Sequence, residues 1–415
     1  MRTAFPRAAP YPARGGVEEG FEPLAERFAA HLAAGEEIGA AFAVYRRGVC
    51  VAHLWGGLAD RTTGEPWGPE SRLVVFSVTK GLASMALHLA AARGLFEWDA
   101  PVTSVWPGFG TSGKQSVTLR QLFNHQAGLA ALDEPITLAD CMSAAERDRV
   151  RRALEVQRPA WEPGADQGYH ALSFGLYARE VFERVAGEPI GELLRRELFE
   201  PLGSDARLGA RAEEEAGRVA TLVPPSAPAR VAHMLRAALR GGSAESRMFH
   251  AVLEPRSLAR RAFTNPALGP GGLAAYNGVA VRRSDLAWAS ATSSADGLAR
   301  AYLPFASNGE HDGRRYFDEK TLEPLYRRQG WSERDRVLQK ALGWSQGFLK
   351  EEPGVFGPTR EAFGHAGMGG ALGWCDPVHG LTVGYVMNRM DWRVRSPRAV
   401  ALMDALYACE ALRSS

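Results

Sequence analysis

The sequence predicts an α+β fold in which both chain ends build one antiparallel sheet and the middle of the chain forms a mainly helical insertion. Three observations lead to it. Short apolar runs bounded by turn residues occur near the two ends, at Gly39–Gly57 and again in Ala341–Leu349, Gly373–Pro377 and Leu381–Asn388. The residues between them carry mostly helical spacing, punctuated by Pro and Gly. No internal repeat or low-complexity tract interrupts this order. Strands at both ends with helices between make a single sheet the economical solution. The expected partition is residues 1–85 with 308–415 for the sheet unit and 86–307 for the helical unit, with a functional site where they meet.

Taken in order, Glu18–Ala34 places Phe21, Leu24, Phe28, Ala29 and Leu32 at helical spacing and reads as an amphipathic helix. Gly39–Gly48 and Val49–Gly57 read as two strands around a tight Arg-Gly turn, a β-hairpin. A looped stretch containing Thr63–Pro69 follows, and Leu82–Arg93 is an apolar helix stopped near Gly94. Thr118–Asn124 starts on a capping threonine, and Leu172–Val185 and Ile190–Phe199 are further helices. After the loop Pro224–Pro228, the basic segment Arg230–Arg240 reads as a solvated helix face or a flap over the site rather than a membrane-surface element. Thr292–Ser307 is another helix. The C-terminal strands are separated by turns such as Asp376–Gly380, and Arg395–Leu412 closes the chain as a helix.

Composition narrows the function classes. With 415 residues, 46% hydrophobic and 23% charged, the chain can bury a large core and is ordinary for a soluble globular protein. A net charge of +2 gives no electrostatic reason to expect nucleic acid or an anionic membrane as partner. No run of about eighteen apolar residues predicts a membrane span. The first ten residues lack the apolar stretch of a signal peptide, so a cytoplasmic location is expected. Cys50, Cys141, Cys375 and Cys409 form no Cys-x-x-Cys pair, and the ten histidines form no His-Glu-x-x-His. Neither a metal nor an organic cofactor is expected.

The chemistry begins at Ser77 and Lys80, in the run Val74-Val75-Phe76-Ser77-Val78-Thr79-Lys80-Gly81. If a helix starts at the serine, residues three apart share a face and the amine lies beside the hydroxyl. The backbone N–H groups of that first turn then point at whatever the hydroxyl attacks. That is the beginning of an acyl-transfer site. The chain has only five lysines, and Ser77 is the only serine with one at this spacing. A chance Ser-x-x-Lys still has odds of roughly one in four in such a chain, so the motif needs company.

Two segments supply it. Trp161–Ala171 is a Gly-rich loop that delivers Tyr169 just before a helix. Phe363–Gly373 packs five glycines beside a predicted strand, a sign that another group approaches the backbone closely. In this order the three segments resemble the serine β-lactamase and penicillin-recognising superfamily, in its class C branch, and within that the family VIII carboxylesterases. The resemblance spans nearly the whole chain and implies the β-lactamase/transpeptidase-like fold. Ser77-Val78-Thr79-Lys80 resembles the nucleophile motif, Tyr169-His170-Ala171 falls where class C enzymes have Tyr-x-Asn, and His365-Ala366-Gly367 where they have Lys-Thr-Gly. Ala171 replaces the asparagine that grips a β-lactam amide, and His365 replaces the cation for a substrate carboxylate. Both changes weaken recognition of an anionic β-lactam and are compatible with a neutral ester.

The resemblance implies Ser77, Lys80 and Tyr169 as catalytic residues, backbone N–H groups of Ser77 and Met368 as the oxyanion hole, and His365, Gly367 and Ala171 as substrate contacts. The expected partner is a small-molecule ester. Lys80 must lose its ordinary pKa of about 10.4 to act as base, which burial and the helix end can arrange. Whether Lys80 or Tyr169 is the formal base stays open at this point. So do β-lactam or peptidoglycan cleavage and acyl transfer on the same site. Gly-x-Ser-x-Gly, a Walker loop and a dinucleotide-binding Gly-x-Gly-x-x-Gly are absent from the sequence.

Overall fold

A computed structural model describes residues 12–211, 219–352, 354–393 and 395–413. Nine strands among them form one continuous antiparallel path. They are β1 (Arg14–Val17), β2 (Gly39–Arg46), β3 (Val49–Asp60), β4 (Gly330–Ser332), β5 (Leu342–Ser345), β6 (Phe348–Glu351), β7 (Phe363–Ala366), β8 (Leu372–Asp376) and β9 (Leu381–Met387). Their spatial order is β1-β3-β2-β9-β8-β7-β6-β5-β4, and Glu65–Pro66 pairs beside β3 to complete a ten-stranded sheet. The two chain ends meet where β9 pairs with β2, Val383 opposite Val44 and Gly384 opposite Ala43. The predicted α+β class, with the sheet drawn from both ends, is the observed one.

The central strand shows why the sheet is covered on both faces. Along β2, Ala40, Phe42 and Val44 enter one core while Ala41, Ala43 and Tyr45 enter the other, the period-two alternation of a strand. Each fully buried large side chain contributes roughly 1.5–3 kcal/mol, so neither face tolerates a register slip. Helices α1 (Glu22–Ala33) and α9 (Pro397–Tyr407) pack together against the first face. Helices α2 (Val78–Ala92) and α8 (Ala295–Ala301) lie on the second. Small residues set that approach: a Cβ at Gly384 would fall 1.9 Å from the Ala295 carbonyl oxygen, and one at Gly81 2.7 Å from the Tyr302 hydroxyl. Between the sheet's two halves the chain also forms α3 (Leu119–Phe123), α4 (Ser173–Ala186), α5 (Ala227–Arg240), α6 (Ala244–Leu253) and α7 (Leu258–Thr264).

Several boundaries differ from expectation for local reasons. The helix predicted from Leu82 begins at Val78, so the Ser-x-x-Lys motif is part of its first turn. The single helix predicted over Thr292–Ser307 is broken. Thr292–Ser293 pairs with Leu73–Val74, Ser294 caps α8 by accepting from the Gly297 N–H at 3.0 Å, and Pro304 starts a new turn. Ala341–Leu349 splits into β5 and the start of β6 because Gln346 and Gly347 turn with positive φ. α1 starts at Glu22 rather than Glu18, with Pro23 in its first turn. Thr118 caps α3 with a reciprocal capping box to Gln121, as its sequence reads. β1 was not anticipated; it is only four residues long.

Candidate active site

Ser77 occupies the N-cap position of α2 yet makes no side-chain capping bond, so its hydroxyl is available elsewhere. Phe76, just before it, has φ +46°, a left-handed conformation that costs a non-glycine residue about 1–2 kcal/mol. Hydrogen bonds on either side hold it there: Val75 N–H donates to the Ala291 carbonyl at 2.9 Å, and Thr79 N–H, in the first turn of α2, to the Phe76 carbonyl at 2.8 Å. The sharp turn has a visible result. From Arg72 to Ala90, Ser77 alone is not buried.

Lys80 follows one helical turn later and is fully buried. Its Nζ donates to Ser77 Oγ at 3.0 Å and to the Trp288 carbonyl at 3.2 Å. Burial holds its pKa well below the ordinary lysine value. Tyr169, also buried, lies near enough to the Ser77 side chain for that hydroxyl to act on its phenol, and its ring lies 5.1 Å from Lys80 Nζ. Burial pushes its phenol upward, against the lowering effect of the serine contact. The structure therefore brings Ser77, Lys80 and Tyr169 into one cluster.

Tyr169 is held from two sides. Its ring stacks on Trp344 with centroids 5.6 Å apart and planes 13° apart. Its backbone N–H donates to Asp335 Oδ1 at 3.1 Å, and the same oxygen accepts from Val337 and Leu338 N–H at 2.9 and 2.8 Å. Asp335 is fully buried, and burial pushes its carboxyl up to about 6. Behind Tyr169 lie His125 and His170. His125 Nδ1 accepts from the His170 backbone N–H at 3.1 Å, which places the proton of the neutral ring on Nε2. Burial lowers both histidines, His170 to about 3, so they pack here as neutral rings.

His365 lies on β7, buried, at the Gly81 face of α2. Its Nδ1–H donates to the Ala366 carbonyl at 2.9 Å, and its Nε2 has no hydrogen-bond partner among the described residues. Burial, and then the charge of Lys80, keep its pKa well below the usual histidine value. Gly367 comes next, and a Cβ there would sit 2.3 Å from the Val75 carbonyl oxygen, two residues before Ser77. That contact seats the turn of Gly367–Gly370, closed by Gly367 N–H to the Ala371 carbonyl at 2.7 Å, beside the start of α2. Met368 is on this turn with its side chain exposed, and Ala171 is buried just after Tyr169.

Two contributors escaped sequence reading. The Trp288 carbonyl carries no side-chain signal, and Asp335 sits in the run Glu333-Arg334-Asp335-Arg336, which looks like solvated surface. Trp344 is the stacking partner of Tyr169.

Comparison with known proteins accords with this geometry. The sequence model of the Beta-lactamase family matches residues 24–407. The chain is 33% identical to Esterase/beta-lactamase LipL of Mycobacterium tuberculosis over 381 residues, 91% of this chain and 83% of the relative. Among solved structures, a family VIII carboxylesterase superposes with a TM-score of 0.82 at 31% identity, covering 96% of this chain and 99% of that one. A penicillin-binding-protein homologue from Caulobacter crescentus gives 0.81 at 32%, with the same coverage.

Proposed function

The chain belongs to the beta-lactamase family, and on that premise we propose that it is a serine hydrolase of carboxylic esters with short to medium acyl chains, working through an acyl-enzyme on Ser77. One observation carries the reading. The single accessible residue of the buried stretch Arg72–Ala90 is a serine whose hydroxyl accepts from a buried lysine and lies beside a buried tyrosine. Lys114 and Lys350 are buried as well, but their amines are spent on backbone carbonyls, whereas that of Lys80 meets a serine hydroxyl. The family VIII carboxylesterase among the similar structures supports the choice of an ester, while the Mycobacterium tuberculosis relative carries both esterase and beta-lactamase in its name.

The opposite pKa shifts of the two partners divide the proton work. Lys80, pulled down by burial, is the base. As Ser77 Oγ bonds to the ester carbonyl carbon, the hydroxyl proton passes to the free amine of Lys80. The carbonyl electron pair moves onto oxygen, where N–H groups of Ser77 and Met368 receive it. Tyr169, pushed up by burial and so protonated, gives its proton to the departing alkoxide and regains one from the Lys80 ammonium. Water then repeats the sequence in reverse on the acyl-enzyme. Gly367 and Ala171 line the approach, and His365 faces it as a neutral ring. The site lies between the sheet unit (1–85 and 308–415) and the helical unit (86–307).

The test is hydrolysis of p-nitrophenyl butyrate by the purified protein, with a chromogenic cephalosporin as comparison. Ester turnover is expected to exceed cephalosporin turnover, and Ser77→Ala to abolish it. Intact mass after exposure to a serine-directed phosphonate should rise by one adduct, mapped to the peptide containing Ser77. Unchanged turnover in Ser77→Ala, or an adduct elsewhere, removes Ser77 as nucleophile.

A further inference from the structure

We propose that helices α5–α7 form a docking face for an anionic lipid surface. The claim concerns binding alone and is independent of the chemistry at Ser77. On α5, Val231, Leu235 and Leu239 recur every four residues and so share one face. They are 51, 48 and 87% exposed, and no other helix among the described residues presents three large apolar side chains this way. The opposite face already has its partners: Met234 and Ala237 pack into a protein core, and His233 stacks on Trp392 at 4.7 Å with planes 5° apart. The outer stripe is therefore a second apolar face, not the inner one turned outward.

Charge decides what this face fits. Residues 227–264 hold seven arginines against two glutamates, in a chain whose total is only +2. Arg236 borders the stripe, and Arg236, Arg256 and Arg260 are exposed. Each basic residue close to an anionic leaflet strengthens binding by roughly fivefold, and an exposed apolar stripe with basic flanks is the pattern of an interfacial helix. A second copy of the chain fits less well, because a two-fold contact would set these arginines against their own copies. Whole-chain charge gave no reason to expect a membrane; its local distribution does.

The position of the face adds to this. The helical flap rests on both loops that hold the site. Arg247 donates to the Gln339 carbonyl at 3.2 Å, in the loop of Asp335 that anchors Tyr169. Trp392, under His233, follows Asp391, whose N–H donates to the Gly369 carbonyl at 2.9 Å in the turn of Met368. The helices that carry the face are thus tied to the two loops that hold the cluster at Ser77.

The test is co-sedimentation of the full chain with vesicles of phosphatidylcholine alone and of phosphatidylcholine mixed with phosphatidylglycerol. Binding to the anionic vesicles is expected to be at least about tenfold stronger and to weaken with salt. Leu235→Asp with Leu239→Asp should abolish it, and Arg236→Glu should lower it about tenfold. If the double variant fails to fold, Arg236→Glu, a change at an exposed position, decides alone. Failure of the wild type to pellet, equal pelleting with both vesicles, or variants that bind like wild type overturn the proposal. A dimer seen by light scattering that the double variant disperses, without vesicle binding, assigns the face to a second copy and overturns it as well.

Discussion

Adding one methyl group at residue 367 probes the turn that faces Ser77 without touching any reacting side chain. In Gly367→Ala the new carbon would sit 2.3 Å from the Val75 carbonyl oxygen and 3.2 Å from the Ala371 side chain. Side-chain carbons do not approach an oxygen within 3.0 Å, so one partner must yield by roughly 0.7 Å before repulsion relaxes. Val75 is poorly placed to move. Its N–H is bonded to the Ala291 carbonyl, and its own carbonyl accepts from Val78 at the head of α2. The Gly367–Gly370 turn shifts instead, and Met368 with it. A displacement near 1 Å costs about 10²-fold in rate, and loss of one oxyanion donor about 3 kcal/mol of barrier. The expected result is kcat for p-nitrophenyl butyrate lowered about a hundredfold with KM changed little, since the donor acts on the transition state. Overpacking should also cost about 1–3 kcal/mol of stability, seen as a lower melting temperature. Gly68→Ala is the control, because the nearest heavy atom to its added carbon is Ser71 Oγ at 3.9 Å. A Gly367→Ala enzyme with kcat within threefold of wild type would refute both the tight seating on Val75 and the role of this turn.

Lys80→Met should reduce ester turnover by at least about 10²-fold. The wild-type lysine binds a proton more weakly folded than unfolded. Wild-type stability therefore declines as pH falls from near 10 toward the depressed pKa, and the variant should gain on it over that window in thermal melts. Tyr169→Phe should slow acylation about a hundredfold in pre-steady-state bursts while leaving the melting temperature nearly unchanged, because stacking on Trp344 needs only the ring. Asp335→Asn keeps an Oδ1 acceptor for three N–H groups and removes a carboxyl pushed up to about 6. Folded protein holds that proton more tightly than unfolded, so wild-type stability falls as pH rises from about 4 through 6. The variant's advantage should grow across that window to at most about 3 kcal/mol in urea titrations.

Legibility in the sequence followed the range of the interactions. The hairpin Gly39–Gly57 and the capping box at Thr118 are set by neighbours, and their residues announce them. Ser77 and Lys80 are three apart on one turn, so their meeting needed only a helix start. Tyr169 was reachable only through family resemblance, since ninety residues of chain separate it from the motif. The Trp288 carbonyl and Asp335 were illegible for a different reason. A backbone acceptor has no residue signature, and a carboxyl in a charged run betrays its burial only once β5 and the Tyr169 loop close around it. The broken helix at Thr292 shows the same limit: its apolar spacing is helical, but pairing with Leu73–Val74 beside the nucleophile turn overrides it.

The electrostatics of the cluster bear on which acyl compounds it can hold. Lys80 and His365 each disfavour a proton on the other, since the charge of Lys80 lowers His365 and such coupling is mutual. Burial already opposes both cations. At neutral pH the histidine is therefore uncharged, and its one N–H is spent on the Ala366 carbonyl, leaving Nε2 with a lone pair. A substrate group arriving there meets an acceptor. A carboxylate at this position would face that lone pair in a low-dielectric site, where His365 offers it no donor to replace the water it sheds, a penalty of several kcal/mol. A neutral ester sheds little and loses little. Replacing a lysine by a histidine at this position thus does more than remove a cation. The Nδ1 bond turns the position from donor to acceptor, and the same neutrality spares Lys80 a second charge that would drive its pKa lower still and weaken it as a base.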